Sequence, residues 1–169
     1  VTEASVLTAE RLRELLDYDP DSGLFTRRVV VCNGTKVGEI AGSLNDRGYV
    51  CISVDGRTYK AHRLAFLWMT GSFPVYEVDH EDLNRSNNRW KNLRSATHSQ
   101  NISNAKKYST NTSGEKGVES WHGRGGQWRA VIRINGKRKH LGYFDDFELA
   151  VEFRRLAADM IFGDFARHE

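Results

Sequence analysis

The sequence predicts an α+β fold in two parts. An N-terminal region of short strands and helices is joined by a linker to a three-stranded antiparallel sheet packed on one helix. Three observations predict it. "GYVCISVDGRTYKAHRLAFLWMTG" reads as strand, tight turn, strand and helix. "KKYSTNTSGEKG" has no apolar period and is rich in Ser, Thr, Asn and Gly, as a linker is. "GVESWH", "GQWRAVIRI" and "KRKHLGYF" are strand-like runs, and the amphipathic "DDFELAVEFRRLAADMIFG" follows them.

In chain order, Thr8 caps a short helix that aligns Leu12, Leu15 and Leu16, and Pro20 and Gly23 break it. Residues 49–54 form a strand, Asp55-Gly56 suits a two-residue turn, and 58–62 returns. The helix of "AHRLAFLWMTG" stops at Gly71, with Pro74 soon after. A strand over 75–79, an Asn-rich loop and a helix over about 99–107 come next. In the last part, 123–126 and Asn135-Gly136 supply turns. Asp145 or Asp146 starts the final helix, whose Phe147, Ala150, Val151, Ala157 and Ile161 share a face, and Gly163 ends it. The expected division is 1–48, 49–107, a linker over 108–116, and 117–165.

Composition narrows the classes. Of 169 residues, 39% are hydrophobic and 11% aromatic, enough to bury a core, so wholesale disorder is excluded. No window approaches a membrane-spanning apolar run, and "VTEASVLTAERLRELL" lacks the apolar centre of a signal peptide. A cytoplasmic protein without membrane partners is expected. Cys32 and Cys51 form no CxxC pair, which argues against a thiolate zinc site or a disulfide framework.

The net charge of +3 is unevenly placed. Residues 85–139 hold thirteen Lys or Arg against two acids, Glu115 and Glu119, so this block carries +11 and the remainder −8. A basic block with interleaved Trp, Tyr and His points to nucleic acid as partner.

The segment "EVDHEDLNRSNNRWKNLRSATHSQN" sets Asp79 and His80 before a run of Asn. Asn suits turns, so Asn84, Asn87 and Asn88 read first as loop formers. Phosphodiester hydrolysis needs a base for the attacking water and positive charge beside the phosphate. His80 suits the base, since an imidazole titrates near neutrality. Asp79, its neighbour in a strand, should point to the opposite face and suits a hard cation such as magnesium. Asn101 can add a second oxygen.

Residues 59–107 resemble the HNH endonucleases, in particular the small phage and intron-encoded homing type. Their motif is a ββα-metal fold of two short strands and a helix around one divalent ion. The resemblance implies an HNH nuclease domain over 49–107, with Asp79 as metal ligand and His80 as general base. It implies that Asn92 in "NLR" braces the loop and orients His80, and that Asn101 in "SQN" is the final metal ligand. Some family members carry His at that last position; His98 lies three residues earlier. The implied cofactor is one Mg2+ or Mn2+ per site, and no zinc. His62 in "AHRLAF" resembles the family's preceding segment and reads as a structural histidine.

Residues 116–163 resemble the DNA-binding domain of plant ethylene-response factors, which also occurs fused to phage HNH nucleases. The matching residues are Gly117-Val118, "GQWRAVIR", "HLGYF" and the "ELAVEF" helix. In that family the sheet lies in the major groove. Alternation turns Trp128, Ala130, Ile132 and Ile134 to the helix, and Gln127, Arg129, Val131 and Arg133 outward. Arg138 and His140 also fall outward, and Leu141 inward. Arg129, Arg133 and Arg138 suit guanine, Trp121 suits stacking, and Lys106, Lys107, Lys116, Lys137 and Lys139 suit phosphate. Glu119, Val131 and the loop "HGRGG" with Arg124 depart from the plant pattern, so base preference cannot be copied.

These resemblances imply an endonuclease acting on double-stranded DNA, of homing type, in a phage-infected or phage-carrying bacterial cell. A monomer, favoured here, would nick; a dimer could cut both strands. A DNA-binding regulator with a relic HNH segment is the alternative, and an RNA-binding module a weaker one.

Overall fold

The computed structural model describes residues 7–30, 34–107, 109–123 and 126–168. Cys32 and the expected DNA contact Arg124 lie outside them. The chain is a mixed α/β protein of small sheets with, among the described residues, four α-helices. Its contacts divide it into Val1–Ser95 and Ala96–Glu169.

In the first unit α1 spans Ala9–Leu15, and the Thr8 side chain accepts a hydrogen bond from Arg11 N. Strands β1 (Leu16–Asp19) and β2 (Leu24–Arg27) form an antiparallel hairpin. The Asp19 carboxylate shapes its turn, accepting from Asp21 N and Ser22 Oγ. Gly23 closes that turn at φ +76°, a left-handed conformation that favours glycine. A second sheet has the order β3 (Ser43–Leu44), β4 (Val50–Val54), β5 (Arg57–Lys60). Asp55 and Gly56 both take positive φ between β4 and β5, as a primed hairpin turn requires.

The returning strand stops at Lys60, and α2 takes Ala61–Thr70, so His62 is helical rather than extended. Gly71 ends α2 in the left-handed region. Strand β6 covers Glu77–His80, beginning two residues and ending one residue later than the expected 75–79. Val75 and Tyr76 are exposed, so nothing holds them in a sheet. β6 pairs with β7 (Leu93–Ala96), and a short 3₁₀ turn, Trp90–Asn92, precedes β7. Leu12, Leu16, Phe25, Ile52, Leu64 and Leu67 form the centre of this unit's core.

The second unit opens with α3, His98–Asn104. Thr97 and Gln100 make a reciprocal capping box at its start. The helix ends three residues before the expected 107, because Ala105 is extended. Strands β8 (Val118–Trp121), β9 (Gln127–Ile134) and β10 (Lys137–Phe144) form an antiparallel sheet in the order β10-β9-β8. Asn135 and Gly136, both at positive φ, link β9 to β10. A bulge between His140 and Gly142 shifts the strand's alternation by one residue, so that Leu141 and Phe144 both pack on the core.

The closing helix α4, Phe147–Phe162, starts on Asp146, whose carboxylate accepts from Leu149 N. Its buried stripe is Ala150, Val151, Arg154, Ala158 and Phe162. The expected Ala157 and Ile161 lie beside that stripe, Ile161 being 43% exposed. The four-residue row from Ala150 is interrupted in sequence by a cation, Arg154, which is why the apolar pattern misplaced the face by one position.

Candidate active site

The loop between β6 and β7 is knitted by its own polar side chains. Asp82 accepts from Asn84 N at 2.8 Å, Asn92 Nδ2 at 2.9 Å and Asn87 Nδ2 at 2.6 Å. Asn92 Nδ2 also donates to Asn87 O, while its Oδ1 accepts from Asp82 N. Asn84 Oδ1 accepts from Ser86 N and Oγ. Most of the Asn run is therefore turn chemistry. Asp82 is its hub, a role the sequence reading did not assign.

This loop returns beside His80. The imidazole is 4% exposed, and its Nε2 lies 3.4 Å from Asn88 Oδ1. The His62 ring meets it edge-on at 5.0 Å between centroids, and Tyr49 lies 6.1 Å away. Lys60 and Arg85 both lie over the Tyr49 ring, so two cations flank the aromatic side of the site. Asp79, also 4% exposed, has a different partner: its Oδ2 accepts from Arg94 Nε on β7 at 2.9 Å.

Burial, partly offset by the Asn88 hydrogen bond and the Asp82 and Asp79 charges, holds the His80 imidazole below its ordinary pKa. It is therefore neutral at neutral pH and able to accept a proton. Burial pushes His62 down to about 3, with the nearby His80, Lys60 and Arg63 charges acting in the same direction. Among the described residues His62 Nδ1 has no hydrogen-bond partner.

The first hairpin holds this loop from behind. Tyr18 OH donates to Asn88 O at 2.7 Å, and Trp90 N donates to Pro20 O at 2.9 Å. Gly23 lies directly on the Asn88–Arg89 peptide, where an added Cβ would collide with Asn88 C, Asn88 O and Arg89 N. Trp90 in turn packs on Phe66 of α2, with ring centroids 4.9 Å apart.

Asp79, His80 and Asn92 thus share the first unit, whereas Asn101 lies on α3 of the second. Among the described residues no three His, Cys, Asp or Glu come together as a metal cluster. The oxygen chemistry of Asp79 fits a hard divalent cation, and its pairing with Arg94 shows a position suited to positive charge.

In the second unit, Glu119 holds both Arg129 and Arg138 as ion pairs. The Arg129 guanidinium also lies over Trp121, 4.1 Å from the ring centroid. Gln127 donates to Asp145, and the exposed His140 lies against Tyr143. Arg133 is exposed, and Lys116 Nζ donates to Ser103 O and Ala105 O.

Residues 59–102 match the family model of an HNH endonuclease, so that segment is an HNH endonuclease domain. A curated relative is Protein 3.8 of Escherichia phage T7, 34% identical over 113 residues, a match covering 64% of this chain and 92% of that protein. A solved structure of DNA binding and cleavage by the HNH homing endonuclease I-HmuI is also similar, with a TM-score of 0.41 and 26% identity. That match covers 53% of this chain and 51% of the other, so this chain spans about half the length of that protein. No helix among the described residues is long and apolar enough to cross a membrane.

Proposed function

We propose that this protein is a metal-dependent endonuclease that hydrolyses phosphodiester bonds in duplex DNA at selected sites, in the homing manner. The observation that carries the proposal is His80: a buried imidazole kept neutral, set beside an ion-paired carboxylate inside the matched HNH segment. His80 takes the proton of the attacking water. Asp79, with Asn101 as the second oxygen donor, would hold one Mg2+ or Mn2+. The ion, when bound, supplies positive charge to the phosphate and leaving oxygen.

Asn92 is a positioning residue in this reading. It ties Asp82 to Asn87, and so fixes the loop that sets Asn88 against the His80 ring. Lys60 and Arg85 offer positive charge for the DNA backbone beside the site. On the second unit, Arg133, Lys116, Trp121, Gln127 and His140 are the proposed DNA contacts, with Arg129 and Arg138 tempered by Glu119.

The test uses supercoiled plasmid DNA with wild type and His80→Ala in magnesium, manganese or a chelator. Wild type is expected to yield open-circular or linear DNA only with metal. His80→Ala should bind the DNA without cutting it. Equal cutting by both proteins, or cutting in the chelator, would refute this mechanism. Binding without cutting in either metal would favour the regulator reading.

A further inference from the structure

The second unit contains a cavity of about 390 Å³ where the start of β8 meets the segment after α3. Arg154, 5% exposed, lines it from α4. Among the described residues, its Nε and Nη1 are buried with no hydrogen-bond partner. Desolvation lowers its pKa, opposed by the Asp159 and Glu115 charges and reinforced by Arg155. A guanidinium is always charged in practice, so it cannot escape this cost by losing its proton. A buried, unpaired cation is expensive unless an anion arrives to meet it.

The surroundings specify that anion. Gly117, at φ +75°, brings its backbone against Arg154, where a Cβ would sit 2.8 Å from Nε. Lys116 is pushed down to about 8 by burial and by the Arg154 and Arg167 charges. Two of its three N–H donors go to Ser103 O and Ala105 O at the end of α3, leaving one for a ligand. Lys106, Arg133 and Arg138 extend the positive lining. Its one acid is Glu119, already held by Arg129 and Arg138. Ile102, Val118 and Ile132 provide apolar walls, which strengthen any charge interaction inside.

We propose that this cavity is a phosphate-binding site, with the Arg154 guanidinium as its floor and Lys116 as its side donor. A planar guanidinium matches phosphate oxygens in pairs, and its stem is packed in place beforehand. The volume falls in the range of roughly 300–1,000 Å³ usual for small-molecule sites, larger than one oxyanion. A phosphodiester with its adjoining sugar therefore fits as well as free phosphate does. As a DNA contact, the site rests on the DNA-binding reading given above; as a phosphate site it does not.

Two arms test it with the full chain. In the first, thermal unfolding is compared in sodium phosphate and sodium chloride at matched pH and ionic strength. Wild type should melt at a higher temperature in phosphate, and Arg154→Met should lose that difference. In the second, binding of a labelled duplex in a chelator is measured across salt concentrations. Arg154→Met should flatten the dependence of log Kd on log salt by about one.

A response in the second arm alone identifies a DNA phosphodiester as the ligand. A response in the first alone identifies free phosphate, and it supports the site even if no duplex is bound. A phosphate shift undiminished in Arg154→Met is a general salt effect; with an unchanged salt slope, it overturns the proposal. If Arg154→Met does not fold, Arg154→Lys keeps the charge and loses the paired donors. It should retain only part of each response, and full retention of both also overturns the proposal.

Discussion

The docking of the first hairpin on the active-site loop predicts the consequence of one methyl group. Gly23 sits at φ +76°, and a Cβ there would overlap Asn88 C and Arg89 N and lie 2.8 Å from Asn88 O. An alanine in the left-handed region costs about 1–2 kcal/mol, and forcing backbone apart in a packed site adds about 1–3 kcal/mol. Gly48 is the matched control in the same unit, with φ +78° and nothing within 4 Å of an added Cβ. Gly48→Ala should therefore lose only the backbone cost. Urea unfolding should place Gly23→Ala about 1–3 kcal/mol below Gly48→Ala.

Because the displaced peptide carries Asn88 toward His80, plasmid cleavage by folded Gly23→Ala should also slow. On the order of tenfold or more is expected, since a misplacement near 1 Å is enough for such a loss. Equal stability losses in the two variants would refute the close docking. Equal cleavage rates would refute the positioning argument even if the docking is real.

Three further outcomes are expected. His62 is held near 3 in the folded chain but titrates near 6.5 when unfolded, so the unfolded state binds the extra proton below about pH 6.5. The associated stability is complete above that pH and lost as pH falls toward 3. At pH 4.5 it should have dropped by about 2.7 kcal/mol, and urea midpoints of His62→Phe should lack that portion of the pH dependence. Glu119→Gln should release Arg129 and Arg138 from their ion pairs, tightening duplex binding and steepening its salt dependence by about one, read by fluorescence anisotropy. Asn92→Ala removes three loop hydrogen bonds. It should cost about 1–3 kcal/mol by urea unfolding and reduce cleavage without changing duplex affinity.

What could be read from the sequence was what local chemistry decides. Thr8, Asp55-Gly56, Gly71, Asn135-Gly136 and Asp146 each mark an observed cap or turn, because those side chains or backbone freedoms act within a few residues. The buried face of α4 was misread where a buried Arg154 stands in the place of an apolar residue. Asp79, His80 and Asn92 were visible as a motif. Their partners Arg94, Asp82 and Asn88 were not, because Asp and Asn in a turn-rich loop are ambiguous until the hydrogen bonds are known. A cation on the pairing strand, Arg94, was the one signal available for the Asp79 partner.

The segment "YDPDSGLFTRR" had no assignable role from the sequence, since its effect is exerted about seventy residues away. The loop between β6 and β7 is mainly polar, and Trp90 is its apolar anchor on the core. Functional geometry must nonetheless be kept to within about 0.5 Å. The structure answers with supports from outside the loop: the Tyr18 hydroxyl on Asn88 O, the bare face of Gly23 on the next peptide, Pro20 O on Trp90 N, and Trp90 itself packed against Phe66. Two supports come through residues for which no side chain of ordinary size can substitute, glycine at Gly23 and an indole anchored in the core at Trp90. On this argument the N-terminal hairpin is a support of the candidate site's loop, holding its shape from outside. Loosening it should uncouple cleavage from DNA binding, the outcome also expected of His80→Ala, but through a loss of order that added stability elsewhere in the first unit would not repair.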